Sequence, residues 1–170
     1  KTKKFIAEIK KSFFFFFYIE KKLVIFSESK ETVEYIAEEL KNIGREDVLA
    51  IIESNSKQRF ATIRKNFDAN YPEKQEDQYN IIITTEVLAE GINLHRSNII
   101  LNYDIPWNAT KLMQRIGRVN RIGTKADKIY VYNFFPTSQS NDLIKLNEKA
   151  LKKLQGFHSA FSEDSKVYSE

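Results

Sequence analysis

The run Gln114-Arg115-Ile116-Gly117-Arg118-Val119-Asn120-Arg121-Ile122-Gly123 sets three polar side chains where they can act together. At helical spacing Gln114, Arg118 and Arg121 fall at i, i+4 and i+7 and share one face, while Leu112, Ile116 and Val119 share the opposite one. One face packs and the other reaches. Two guanidinium groups and a carboxamide projecting together form a cluster of planar donors suited to phosphate oxygens, whose developing charge in phosphoryl transfer such donors stabilise. The helical pattern alone fits a solvated basic face equally well.

Upstream, Ile81-Ile82-Ile83 runs into Thr84-Thr85 and then a polar stretch containing Gly91. A threonine pair at a strand end offers hydroxyl and backbone N–H groups to a nucleic-acid phosphate, and Gly91 permits close backbone approach to a ligand. Two threonines capping a following helix is the competing structural explanation. Leu23-Val24-Ile25-Phe26 is likewise followed by Ser27-Glu28-Ser29, where N–H groups at a helix start can receive a phosphate. His95 and His158 lie far apart and predict no metal site.

These residues need a scaffold, and the apolar pattern supplies one. Residues 23–26, 48–52, 81–84, 98–101 and 129–134 are short apolar runs of the kind buried on both faces of a sheet. Between them lie helical patterns. The first places Val33, Ile36, Ala37, Leu40 and Ile43 on one face, with Ser29 as N-cap, Glu31 in the first turn and Gly44 as stop. The second runs from Ser56 to about Asn70 with Phe60, Ile63 and Phe67 on its packing face, and the third begins near Ala109. A last helix would carry Leu143, Leu146, Ala150 and Leu154. Short buried strands alternating with helices predict an α/β fold, a three-layer parallel sheet with helices on both faces. Such sheets bind ligands at the carboxyl ends of their strands, so the motifs fall where a site belongs.

Length and composition agree with one globular domain: 170 residues, 42% hydrophobic and 29% charged, fit neither a disordered chain nor a membrane protein. No cysteine is present, which excludes disulfides and cysteine-ligated zinc and points to a reducing compartment, the cytoplasm. The formal charge of +4 would assist a phosphate-tracking surface without proving one. Residues 1–22 read as a flanking segment, 23–155 as the domain and 156–170 as a tail. The flank carries Phe13, Phe14, Phe15, Phe16, Phe17 and Tyr18, an apolar block too short for a membrane helix. Neither helical nor strand period lets all five phenylalanines face one core, so the block predicts contact with a neighbouring domain or another copy of the chain. The only methionine is Met113, which reads as a piece cut from something longer.

The decamer from Gln114 resembles motif VI of superfamily 2 helicases, in the form seen in Swi/Snf-type and RapA-type translocases. Residues 81–94 resemble motif V, with Gly91-Ile92-Asn93-Leu94 as the family commonly has it, and residues 23–29 resemble motif IV. Together they cover residues 23 to about 136 in the family's order. Thr124 stands where those families usually have glutamine. The resemblance implies the second RecA-like lobe of an ATP-dependent translocase. It makes Arg118 and Arg121 arginine fingers, Gln114, Gly91 and Asn93 contacts on the nucleotide side, Arg115 structural or interdomain, and Ser27, Ser29, Thr84 and Thr85 contacts to a DNA or RNA backbone. It also implies ATP and Mg²⁺, held mainly by an N-terminal RecA-like lobe, because this chain has neither a Gly-x-x-x-x-Gly-Lys-Ser/Thr loop nor an Asp-Glu box. The chain alone is then expected to be inactive. The alternative is a non-catalytic nucleic-acid-binding module that keeps the fold.

Overall fold

The computed structural model describes residues 22–86, 92–106, 109–120, 126, 128–134 and 152. Five strands, β1 (Lys22–Phe26), β2 (Val48–Ile51), β3 (Ile81–Thr84), β4 (Ser97–Asn102) and β5 (Tyr130–Asn133), pair in the order β2-β3-β1-β4-β5. Every pairing is parallel. Helix α1 (Lys30–Asn42) follows β1, α2 (Glu53–Phe67) follows β2, and α3 (Ala109–Val119) follows β4. The three layers expected from the sequence are therefore present, with strand limits within a residue or so of the apolar runs.

Alternation along each strand divides the core in two. Leu23, Ile25, Ile81, Ile83 and Ile99 meet Val33, Ile36, Ala37 and Leu40 of α1 on one face. Val24, Phe26, Ile82 and Ile100 meet Ile63 and Phe67 of α2 and Leu112, Ile116 and Val119 of α3 on the other. Both faces of the central strands are covered, so continuous isoleucine runs are needed rather than an apolar and polar alternation.

Local signals explain the limits of α1. The Ser29 hydroxyl accepts from the Thr32 N–H at 3.3 Å, satisfying one orphan donor of the first turn. At the other end Gly44 takes φ +87°, its N–H donates to Lys41 O at 2.8 Å, and the Arg45 N–H donates to Leu40 O at 3.0 Å. Those two bonds form a Schellman turn, which needs a left-handed residue that glycine adopts without steric cost.

Helix α2 departs from expectation. It begins at Glu53 and ends at Phe67, where the Asp68 carboxylate accepts from the Asn70 N–H at 2.9 Å and turns the chain away. Ile63, Asn66 and Phe67 are buried, whereas Phe60, expected on the packing face, is 41% exposed. Fifteen helical residues span roughly 22 Å. The four residues of β2 span roughly 13 Å. The helix is therefore longer than the strand it follows, and its buried side chains are gathered in its last two turns. Residues 13–18, the last predicted helix and the 156–170 tail lie outside the described residues.

Candidate functional site

Register places Ile51, Thr84, Phe26, Asn102 and Asn133 in one row across the carboxyl edge. The residues just past that row build the site. Ser27, fully buried, donates its hydroxyl to Asp104 Oδ2 at 2.7 Å, and the Ser29 N–H donates to Ser27 Oγ at 3.3 Å. The Glu28 N–H reaches the same carboxylate oxygen at 3.4 Å. Thr84, also fully buried, donates its hydroxyl to the Thr85 carbonyl at 2.9 Å. Both hydroxyls, expected to meet a phosphate, are thus engaged within the lobe and brace the turns after β1 and β3. Ser29 and Thr85 are half-buried, and the Ser29 hydroxyl likewise has an internal partner, donating to Glu31 Oε2 at 2.6 Å.

Beside these turns an open cleft of about 520 Å³ is lined by Glu28, Lys30, Ile52, Glu53, Ser54 and Thr85. It sits at the ends of β1, β2 and β3 and at the starts of α1 and α2. Two carboxylates stand against one ammonium in its lining. A phosphate entering the cleft would meet backbone N–H groups at the helix starts, the groups best able to receive it there.

Helix α3 meets the same edge from the other side. Leu112, Ile116 and Val119 are buried, Gln114 is exposed and Arg118 is half-buried, as the face assignment from spacing requires. The Leu94 N–H donates to Arg118 O at 2.9 Å, which seats the segment containing Asn93 against the last turn of α3. Two groups of expected residues are thus formed: Ser27, Ser29, Thr84 and Thr85 at the turns after β1 and β3, and Asn93, Gln114 and Arg118 around α3. Gly91 and Arg121 lie outside the described residues.

Arg115 joins the two groups, a role that helical spacing alone did not reveal. It is 2% exposed, the largest fully buried side chain among the described residues. Its Nε donates to Glu86 Oε1 at 2.8 Å, Nη2 bonds the same oxygen, and Nη1 donates to Asn102 Oδ1 and Asp104 O, each at 2.9 Å. The guanidinium carbon lies 5.1 Å from the centroid of the Phe26 ring. Asn102 in turn donates to Asn133 Oδ1 at 2.9 Å. One side chain therefore ties α3 to the ends of β1, β3 and β4. A clue existed in sequence: Glu86 stands two residues past a strand end, where a buried cation would need an acceptor.

Among the described residues no three His, Cys, Asp or Glu side chains gather as a metal site. His95 is buried with Nε2 3.7 Å from Asp68 Oδ1, away from the strand ends. No helix among the described residues is long and apolar enough to cross a membrane.

The family described as "Helicase conserved C-terminal domain" matches residues 8–123. A curated relative, "Uncharacterized ATP-dependent helicase YqhH" of Bacillus subtilis (strain 168), is 49% identical over 53 residues, 31% of this chain and 9% of that protein. "ATP-dependent RNA helicase SUB2" of Ajellomyces capsulatus (strain NAm1 / WU24) is 32% identical over 98 residues, 58% of this chain and 22% of that protein. The chain thus spans less than a quarter of the length of either relative. Two solved structures share the fold, each with a TM-score of 0.61. The C-terminal part of the Fun30 ATPase domain is 19% identical, covering 77% of this chain and 39% of that one. S. cerevisiae Dbp5 bound to RNA and ADP BeF3 is 24% identical, covering 79% of this chain and 32% of that one.

Proposed function

This chain belongs to the helicase conserved C-terminal domain family, and we propose that it is the second motor lobe of an ATP-dependent nucleic-acid translocase, of the Swi/Snf or RapA type on the strength of its motif VI. The observation that carries this reading is α3. Its apolar face is sunk in the core while Gln114 and Arg118 stand on the other side, and Arg115 anchors the helix to the ends of three strands. A donor held by a rigid element needs no reorganisation as charge develops on a transferring phosphoryl group.

The residues present fit part of an ATP site. Gln114, Arg118, Asn93 and, by sequence, Gly91 and Arg121 would face the triphosphate, with the arginines stabilising charge on the transferring group. Two of the carboxylates past the strand ends are engaged within the lobe, Glu86 by Arg115 and Asp104 by Ser27. Mg²⁺ and the phosphate loop would come from an N-terminal RecA-like lobe. A DNA or RNA backbone would pass the cleft, received by N–H groups at the starts of α1 and α2, by Ser29 and by Thr85, with Ser27 and Thr84 fixing the turns. Residues 23–155 would form this lobe.

ATP hydrolysis by the isolated chain tests the reading, because phosphoryl transfer needs the phosphate loop and metal ligands. The chain alone should give no turnover. Adding a lobe with a phosphate loop should restore hydrolysis that nucleic acid stimulates. Turnover by the purified chain that disappears in Arg118→Ala would overturn the half-site arrangement.

A further inference from the structure

Helix α2 carries a stripe that starts at the cleft and runs beyond it. Glu53, Lys57, Phe60 and Arg64 fall at i, i+4, i+7 and i+11 and share one side of the helix, starting from the cleft lining. Phe60, 41% exposed, lies about 9 Å along the axis from Ser54 of the cleft. The Arg64 guanidinium lies 5.9 Å from the Phe60 ring centroid and 5.3 Å from that of Tyr71. Arg64 is also held by Asp68 at 3.5 Å, and the Tyr71 hydroxyl donates to Glu73 at 3.1 Å. Two rings and a planar cation therefore make one flat-faced surface, fixed on the Tyr71 side and open at Phe60.

Its surroundings are strongly cationic. Helix α2 carries Lys57, Arg59, Arg64 and Lys65 against the single acid Glu53. Lys57 and Arg59 are exposed and enter no ion pair among the described residues. The cleft lining lacks such an excess of positive charge; α2 supplies it one turn further on. A lone surface phenylalanine is ordinary. A phenylalanine stacked on arginine amid unpaired cations complements a polyanion whose bases have flat faces.

We propose that this stripe is a second nucleic-acid contact: Phe60 stacks on a base of a single strand that leaves the cleft along α2, while Lys57 and Arg59 receive its phosphates. The inference rests on the nucleic-acid reading above and adds a base contact to a backbone track. Stacking of this kind tolerates any base, because every base has a π-face. An acidic protein partner would be drawn by the same cations but would make no demand for an aromatic at position 60.

The test is fluorescence anisotropy of labelled oligothymidylate and oligouridylate titrated with the 170-residue chain over a salt series. Phe60→Ala should bind at least about five-fold more weakly with an unchanged salt slope, and Phe60→Trp should restore binding. Lys57→Ala and Arg59→Ala should each reduce the slope of log K against log salt by about 0.7. Circular dichroism should show all four variants folded, since none of the three positions is in the core. Wild-type binding with Phe60→Ala unaltered would overturn the stacking contact and leave the nucleic-acid reading standing. No wild-type binding even at low salt would sink both. A change in oligomeric state with Phe60→Ala would make the stripe an interface between proteins and overturn the proposal.

Discussion

Arg115 of α3 holds Glu86, just past β3, through two of its guanidinium nitrogens, although 29 positions separate them in the chain. With Asn102 and the Asp104 carbonyl, four of the five N–H groups of an arginine are accounted for in a side chain with almost no exposure. Arg115 is buried while Glu86 is part exposed, so Arg115→Ala, which empties buried volume and leaves Asn102 and Glu86 without their partner, should cost about 2–4 kcal/mol. Arg115→Lys should recover only part, because an ammonium cannot span Glu86 and Asn102 with a planar fork. Urea unfolding of these variants, Glu86→Gln and the double change would measure the coupling; an Arg115→Ala midpoint equal to wild type would show the network to be idle.

A pH effect is expected at the far end of the sheet. Burial alone would raise the Asp47 carboxyl, but the hydrogen bonds and charge of Arg45, at 2.6 and 2.7 Å, outweigh it and hold the group below its ordinary value of 3.8. A depressed folded value contributes stability that is complete above the ordinary value and lost as pH falls through the lower folded one. Asp47→Asn should therefore lower stability at neutral pH by about 1 kcal/mol or less, and the two melting curves should converge below pH 3.8. A difference that persists undiminished into strong acid would place the effect elsewhere.

The same substitution should act with opposite sign at two glycines. Gly44→Ala forces an L side chain to φ +87°, at a cost of about 1–2 kcal/mol. Gly117 lies inside α3 at ordinary helical dihedrals with no atom within 4 Å of an added Cβ, so Gly117→Ala should stabilise the chain by about 1 kcal/mol. Thermal melts of both variants check the signs. If Gly117→Ala nevertheless reduces turnover once a phosphate-loop lobe is added, the bare backbone at that position serves the approach of the other lobe.

Sequence made most of the scaffold legible because its signals are local. Ser29 could be read as a cap and Gly44 as a stop from neighbours three or four residues away, and isoleucine runs mark strands covered on both sides. The buried and exposed sides of α3 also follow from spacing alone. What was not legible depends on three-dimensional surroundings. Phe60 has the right periodicity for the core, yet at mid-helix it is exposed while Ile63 and Phe67 are buried. Ser27 and Thr84 have the right chemistry for phosphate, yet Asp104 and the Thr85 carbonyl claim their hydroxyls. Arg96 is one arginine among many in the sequence, while in the fold it donates to the carbonyls of Lys65, Asn66 and Glu76 and fastens the loop before β3.

In a protein that contains both lobes, Arg118→Ala should lower kcat for nucleic-acid-stimulated ATP hydrolysis while leaving fold and nucleotide affinity nearly unchanged. Arg118 leaves α3 on the side away from the buried Leu112, Ile116 and Val119, and the Leu94 N–H is bound by its backbone carbonyl, which alanine retains. Truncation therefore opens no core cavity and leaves the Leu94 hydrogen bond in place. An arginine finger is worth on the order of 10³ to 10⁵ in kcat, because it acts on charge that exists only in the transition state. Arg121→Ala should behave alike by its spacing, and Arg118→Lys should not rescue, since a point charge lacks the donor fork. Steady-state kinetics with a melting curve for each variant separate the outcomes. Wild-type turnover, or loss that tracks unfolding, would reduce these arginines to a solvated or structural face.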